Sequence, residues 1–380
     1  MKKICLFLIL LIIPIVVLGE DLNLAENAKS AILIEASTGE VLYSKNANQK
    51  LAPASMTKIM SLILIMENIE KGNLKWNDIV VISKNAASMG GSQIYLEQNE
   101  MMSVEDLVKG ICVASGNDAT VALAEKVAGT ENAFVKLMTD KAKSLGLKDT
   151  HFVNSTGLDA EGHYSSAYDM AIMARELVKH QKILDFSSIY EDYLRKNTNN
   201  SFWLVNTNKL VKFYSHIDGL KTGYTGNAGY CLTATGKKND MRLISVVMGE
   251  ESTEKRSADT MAMLDYGFNM YSIKKMASKG DSLGIIKVNL GDPEYVDITV
   301  KEDLTILNNN REKSKDVKYD IETDKVKAPI KIGDTIGKIK MYVDGKLDSE
   351  IDVTVSYDVK KANILKIFLR NIRDIFCENI

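Results

Sequence analysis

Between Pro53 and Gly72 runs a long segment whose middle is apolar on nearly every side, Ala-Ser-Met-Thr-Lys-Ile-Met-Ser-Leu-Ile-Leu-Ile-Met-Glu from Ala54. Pro53 suits a helix start and Gly72 a helix stop. A helix without a polar face has to be covered from all directions, so this one belongs at a domain centre with other elements wrapped around it. It also carries Ser55 and Lys58, three residues apart and therefore on one face, within touching distance. A serine hydroxyl needs an adjacent base before it is a useful nucleophile. A lysine becomes that base only when burial or a nearby positive charge lowers its pKa.

The elements expected around this helix are of two kinds. Ser30–Glu35 and Glu40–Ser44 are short apolar runs joined by Ala-Ser-Thr-Gly39, a hairpin pattern. Residues 103–190 are mostly helical in pattern, with Ser103 and Ser115 as caps or corners. Ile217–Thr225, Tyr230–Thr235 and Arg242–Met248 read as three strands, the last two joined by Gly236-Lys-Lys-Asn-Asp240, and Ser252 caps a helix running toward Tyr266. Strands at both ends with helices between predict an α+β domain, one antiparallel sheet with packed helices. Beyond Ser278-Lys-Gly-Asp281 the pattern becomes short alternating runs: Tyr295–Val300, Lys331–Met341 and Ile351–Val355. That is a small all-β domain.

The expected division is a leader at 1–19, a catalytic domain at 20–277, an all-β domain at 281–357 and a terminal helix at 362–380. Lys2 and Lys3, the apolar run Ile4–Leu18 and Val17-Leu-Gly19 have the features of a secretory leader cut after Gly19. The run is shorter than the roughly 18 residues a spanning helix needs. On a helical wheel Ile364, Leu365, Phe368, Leu369, Ile372, Ile375 and Phe376 share one arc, with Lys366, Arg370 and Arg373 opposite. That pattern predicts an in-plane helix at a membrane surface, with docking on its own domain or on a partner as the other option. The net charge of −2 gives no basis for nucleic-acid binding. The four histidines, His151, His163, His180 and His216, lack metal-type spacing, so no metal is expected. Cys112 and Cys231 sit in apolar runs and are expected to be buried thiols.

Three motifs follow in order: Ser55-Met-Thr-Lys58, Ser115-Gly-Asn117 and Lys221-Thr-Gly223. Ser-x-x-Lys recurs at Ser252 and Ser272, but Lys-Thr-Gly occurs once. The ordered set resembles the signature of penicillin-binding proteins and serine β-lactamases. His151-Phe-Val-Asn-Ser-Thr-Gly-Leu158, Asp218–Thr225 and Ala228-Gly-Tyr-Cys231 narrow it to the D-alanyl-D-alanine carboxypeptidases among the low-molecular-mass penicillin-binding proteins.

The resemblance implies that Ser55 is the nucleophile, Lys58 its base, and Ser115 a relay passing a proton to the leaving amine. It implies that Asn117 holds Lys58 and the substrate amide oxygen, and that Lys221 and Thr222 grip a C-terminal carboxylate. Gly223 would let substrate backbone approach, and the N–H groups of Ser55 and Tyr224 would hold the oxyanion. The implied substrate is the peptidoglycan stem peptide, the implied covalent inhibitors are β-lactams, and no cofactor is needed. The implied location is the outer face of the cytoplasmic membrane. Family members often have Pro at the position of Ser155, a departure that bears on the rigidity of this loop. A D,D-endopeptidase would use the same residues. A class A β-lactamase would need a Glu-x-x-x-Asn type segment before Lys221, and none is convincing between Ser115 and Lys221.

Overall fold

The computed structural model describes residues 22–311, 315–324 and 326–377. The leader expected at 1–19 lies outside them. Five antiparallel strands form the larger sheet, in the order Val41–Lys45, Ser30–Glu35, Met241–Glu250, Gly229–Lys238, Ile217–Thr225. The N-terminal hairpin thus pairs with the third of the later strands, and the sheet is assembled from both ends of the domain.

The first strand is buried along its whole length because it is covered on both faces. Ala31 and Leu33 join Met263, Leu264 and Phe268 of the helix Thr253–Met270. Ile32 and Ile34 look the other way, into the larger core around Ile59, Met60 and Ile63. The helix Lys58–Glu70 is buried continuously from Lys58 to Met66, with the helices Asn117–Ala128, Glu131–Ser144 and Ala167–Leu177 packed around it. Its apolar circumference is therefore matched by its surroundings.

Several boundaries differ from the sequence expectation for local reasons. Ala54–Thr57 forms a short 3₁₀ turn, so Ser55 precedes the α-helix that begins at Lys58. The strands Gly229–Lys238 and Met241–Glu250 run through most of the stretch expected as a turn. Only Asn239 and Asp240 separate them, with Asn239 at φ 54°, as a tight two-residue hairpin requires. Ser252 caps its helix by accepting from Lys255 N at 3.2 Å, and that helix runs on to Met270.

After it, Tyr271–Ala277 pairs with Leu304–Asn309. A second five-stranded sheet follows the order Ser282–Lys287, Tyr295–Val300, Lys346–Val355, Gly337–Val343, Val317–Thr323. Its core includes Val296, Ile298, Ile339, Met341 and Val353. Within the stretch 331–341 only the part from Gly337 is strand. Lys331–Asp334 is a turn, because Asp334 accepts from Lys331 N at 2.8 Å and Gly333 sits at φ 93°.

The terminal helix Ile364–Cys377 lies against the all-β domain. Its cations pair with that domain, with Lys366 and Arg373 still about half exposed. Lys366 Nζ lies 2.6 Å from Asp292 Oδ2, and Arg373 Nη2 lies 3.0 Å from Glu294 Oε2. Arg370 Nη1 donates to Gly291 O at 2.5 Å. The polar face thus docks on the all-β domain, while Ile364 (87 % exposed) and Phe368 (58 % exposed) face solvent. No helix among the described residues is long and apolar enough to cross a membrane.

Candidate active site

Ser55 and Lys58 meet where the 3₁₀ turn joins the central helix. Lys58 Nζ lies 2.9 Å from Ser55 Oγ and donates to Thr156 O at 2.7 Å. The lysine side chain has no exposed surface. Burial, and next the positive charge of Lys221, hold its pKa well below the ordinary lysine value, with Asp118 opposing. A neutral amine keeps two hydrogens and one lone pair. With one hydrogen committed to Thr156 O, the lone pair is free to take the Ser55 proton.

The turn is held from below by close packing. Ala54 has φ 48°, a left-handed conformation seldom taken by alanine. A methyl group on Gly157, itself at φ +87°, would sit 1.8 Å from Ala54 O, and one on Gly223 would sit 2.7 Å from Pro53 O. Gly223 therefore admits the chain's own serine turn. Thr57 Oγ1 is 2.8 Å from His163 Nε2, and His163 Nδ1 accepts from Val153 N at 3.0 Å. Burial first, then the neighbouring His151, lowers the His163 pKa to about 4, against Asp159. Its neutral ring therefore donates from Nε2 to Thr57.

The segment around Ser155 is tied down without a proline. Ser155 donates to Glu131 Oε1 from both N (3.0 Å) and Oγ (2.7 Å), and its carbonyl accepts from Ser61 Oγ at 2.7 Å. Asn154 Oδ1 accepts from Thr156 N and Gly157 N. These bonds aim the Thr156 carbonyl at Lys58.

Ser115 ends the helix Val104–Ala114 in a left-handed conformation at φ 64°. Its buried hydroxyl has no hydrogen-bond partner, and neither does Asn117 Oδ1. Buried polar atoms are nearly always satisfied, so two orphans in one motif mark a place that expects a visitor. Asn117 Nδ2 donates to Gly90 O at 2.7 Å. The bonds of Lys58 go to Ser55 and Thr156, so the expected Asn117–Lys58 contact is replaced by the Thr156 carbonyl.

Lys221 and Thr222 stand on the edge strand of the sheet. Lys221 is 1 % exposed, and burial draws its pKa down to about 7, with Arg256 adding to the depression and Cys112 opposing it. Burial pushes the Cys112 thiol up to about 12, so it stays protonated. Cys112 and Cys231 are both free and buried. Thr222 Oγ1 donates to Thr207 Oγ1 at 2.7 Å. Tyr224 is exposed and stacks on Tyr230 with centroids 4.4 Å apart.

Sequence reasoning missed Thr156, Asp118 and Arg256. Asp118 gathers the N–H groups of Ile94, Leu96 and Ala119 on its buried carboxylate. Arg256 is buried on the first turns of the helix capped by Ser252, with its Nε unpartnered. Neither a carbonyl nor a lone arginine leaves a spacing to find. Among the described residues no cluster of three or more His, Cys, Asp or Glu is placed to hold a metal.

Residues 20–252 match the peptidase S11 family, D-alanyl-D-alanine carboxypeptidase, and residues 271–361 match the penicillin-binding protein 5 C-terminal domain. The chain is 51 % identical over 353 residues to the D-alanyl-D-alanine carboxypeptidase DacF of Bacillus subtilis, covering 93 % of this chain and 91 % of that one. Penicillin-binding protein 5 from Haemophilus influenzae superposes with a TM-score of 0.70 at 33 % identity, covering 88 % of this chain and 98 % of that one. Penicillin-binding protein D2 from Listeria monocytogenes, in its ampicillin-bound form, matches at 31 % identity and TM-score 0.58, covering 64 % and 98 %. With a penicillin-binding fold, a serine–lysine pair at its centre and matches across both domains, the chain belongs to the D-alanyl-D-alanine carboxypeptidase family.

Proposed function

We propose that the protein removes the terminal D-alanine from peptidoglycan stem peptides through an acyl-enzyme on Ser55. The contact that carries this reading is Lys58 Nζ at 2.9 Å from Ser55 Oγ, with the amine buried and its pKa lowered. Neutral Lys58 takes the hydroxyl proton as Ser55 Oγ bonds to the penultimate D-alanine carbonyl carbon. The N–H groups of Ser55 and Tyr224 hold the oxyanion. As the C–N bond breaks, the proton passes from Lys58 through the unpartnered Ser115 hydroxyl to the departing D-alanine nitrogen. Water, deprotonated by Lys58, then cleaves the ester and frees Ser55.

Lys221, Thr222 and the nearby Arg256 place positive charge and a hydroxyl where the substrate's free carboxylate ends. Asn117, with its free Oδ1, orients the peptide. A β-lactam that acylates Ser55 blocks the same residue. The test is release of D-alanine from a D-Ala-D-Ala peptide, set against cleavage of a cross-linked dimer. Carboxypeptidase action predicts rapid release from the first, and preference for the dimer would contradict it.

The working division of the chain is a leader at 1–19, the peptidase at 20–277, the all-β domain at 281–357 and an anchor at 362–380. An exported, peripheral location is supported by the substrate's chemistry and by the apolar face of the terminal helix. That face is turned outward while the cations clamp the helix to Asp292 and Glu294. The lipid-facing role therefore falls to Ile364, Leu365, Phe368 and Leu369.

A further inference from the structure

A cleft of about 550 Å³ opens between the loop 95–100 and the hairpin formed by Glu191–Leu194 and Phe202–Val205. One wall is aromatic. Tyr95 is 67 % exposed and meets Phe202 edge-on with centroids 5.5 Å apart. The rim carries the side-chain amides of Gln98, Asn99 and Asn200, and none of the three makes a protein hydrogen bond among the described residues.

The only cation in the lining is already neutralised. Arg195 forks onto Glu100 (Nε–Oε1 2.5 Å, Nη2–Oε2 3.0 Å) and donates onward to Ile94 O and Tyr95 O. The cleft therefore has nothing for an anionic ligand. It offers an open aromatic face, free amide donors and acceptors, and one uncommitted carboxylate, Glu97.

The wall is built rigidly, and at a cost. Tyr95 (φ 55°), Asn99 (φ 67°) and Arg195 (φ 52°) all adopt left-handed backbone. That is unfavourable for a bulky residue such as Tyr95 and persists only where the surroundings enforce it. Asp118 binds Ile94 N and Leu96 N on either side of Tyr95, and Asp118 directly follows the motif residue Asn117. The hairpin is fastened to the other motif, since its second strand leads into Thr207, whose hydroxyl accepts from Thr222. Both walls of the cleft are thus anchored to the groups proposed to bind the stem peptide.

We infer that this cleft is a saccharide subsite that holds the neutral glycan strand of the polymeric substrate while a stem peptide lies at Ser55. Sugar rings present flat C–H faces that stack on exposed aromatic rings, and their hydroxyl and acetamido groups exchange hydrogen bonds with side-chain amides. The inference rests on the proposed peptidase reading, but binding is measured separately from hydrolysis.

The probe is a peptide-free tetramer of β-1,4-linked N-acetylglucosamine, titrated into the full Ser55→Ala chain by calorimetry or NMR. The tetramer binds, and adding Tyr95→Ala weakens it roughly tenfold, the size of one lost stacking face. Trp203→Ala removes another exposed aromatic (54 %) from the opposite face of the hairpin, where it pairs with Tyr193, and leaves binding unchanged. In the active chain, Tyr95→Ala raises KM for glycan-linked stem peptide and not for the free peptide, with the rate of penicillin acylation as the check on folding. A tetramer that does not bind, that binds Tyr95→Ala equally well, or that Trp203→Ala weakens as much overturns the assignment, while hydrolysis of free peptides remains a separate result.

Discussion

At the scale of single residues, the chemistry depends on which of two buried lysines carries a proton. In the proposed mechanism Lys58 acts when neutral and Lys221 grips a carboxylate when charged. Lys58→Arg keeps the charge but removes the base, because arginine stays protonated. Acylation by a penicillin should fall by a factor on the order of 10² or more, the usual weight of a general base. Stopped-flow acylation rates check this, and near-normal rates would mean that another group activates Ser55. The pH profile follows from the same pair. In the free enzyme kcat/KM rises with pH as Lys58 loses its proton and declines above about 7 as Lys221 loses its own. A bound carboxylate favours charged Lys221, so the alkaline limb of kcat lies higher than that of kcat/KM.

The two lysines were readable from motif and apolar context together, because burial and mutual repulsion follow from where such residues have to sit. Thr156 was not, since a backbone carbonyl has no sequence signature. Arg256 was hidden inside a capped helix start that reads as ordinary. The packing of Gly223 against the serine turn was not legible either, because sequence shows that a side chain is absent and the structure decides what occupies the space.

At the scale of elements, the nucleophile turn is a packing problem. The strained Ala54–Thr57 turn is wedged between the Lys221 strand and the loop 154–158, with Gly157 in direct contact with Ala54 O. Gly157→Ala adds a methyl group to a left-handed residue with no room for it. It should cost about 2–4 kcal/mol, at the severe end for one substitution, and slow acylation by displacing Ser55. Urea midpoints alongside acylation rates test this. A variant with unchanged stability would show that the loop yields and that the wedge is not needed.

The central helix, the hairpin and the three later strands were legible as periodic apolar runs. The 3₁₀ start and the turn at Lys331–Asp334 were not, because both depend on local hydrogen bonds rather than on hydrophobic pattern. Three hydrogen bonds to Glu131 and Ser61 hold the loop around Ser155 in place.

At the scale of the whole molecule, the peptidase domain and the terminal helix are proposed to have separate functions. The amphipathic pattern of the helix was visible in the sequence. Which face would be used by the protein itself was not, since cations suit an anionic lipid and an acidic patch equally well. Asp292 and Glu294 take them. Truncation after Lys361 removes the outward apolar face and should shift the protein from the membrane fraction to the soluble one, with hydrolysis of small peptides intact. A truncated chain that still pellets with membranes would place the attachment elsewhere, and one that loses activity would make the helix part of the fold.

All of these expectations rest on Ser55 as the group that becomes acylated. The most direct measurement is covalent labelling with a fluorescent penicillin, followed by mass mapping of the modified peptide, in the wild-type chain and in Ser55→Ala. The account predicts a single label on the peptide containing Ser55 and no label in the variant. A label that persists in Ser55→Ala, or that maps to Ser252 or Ser272, would contradict it.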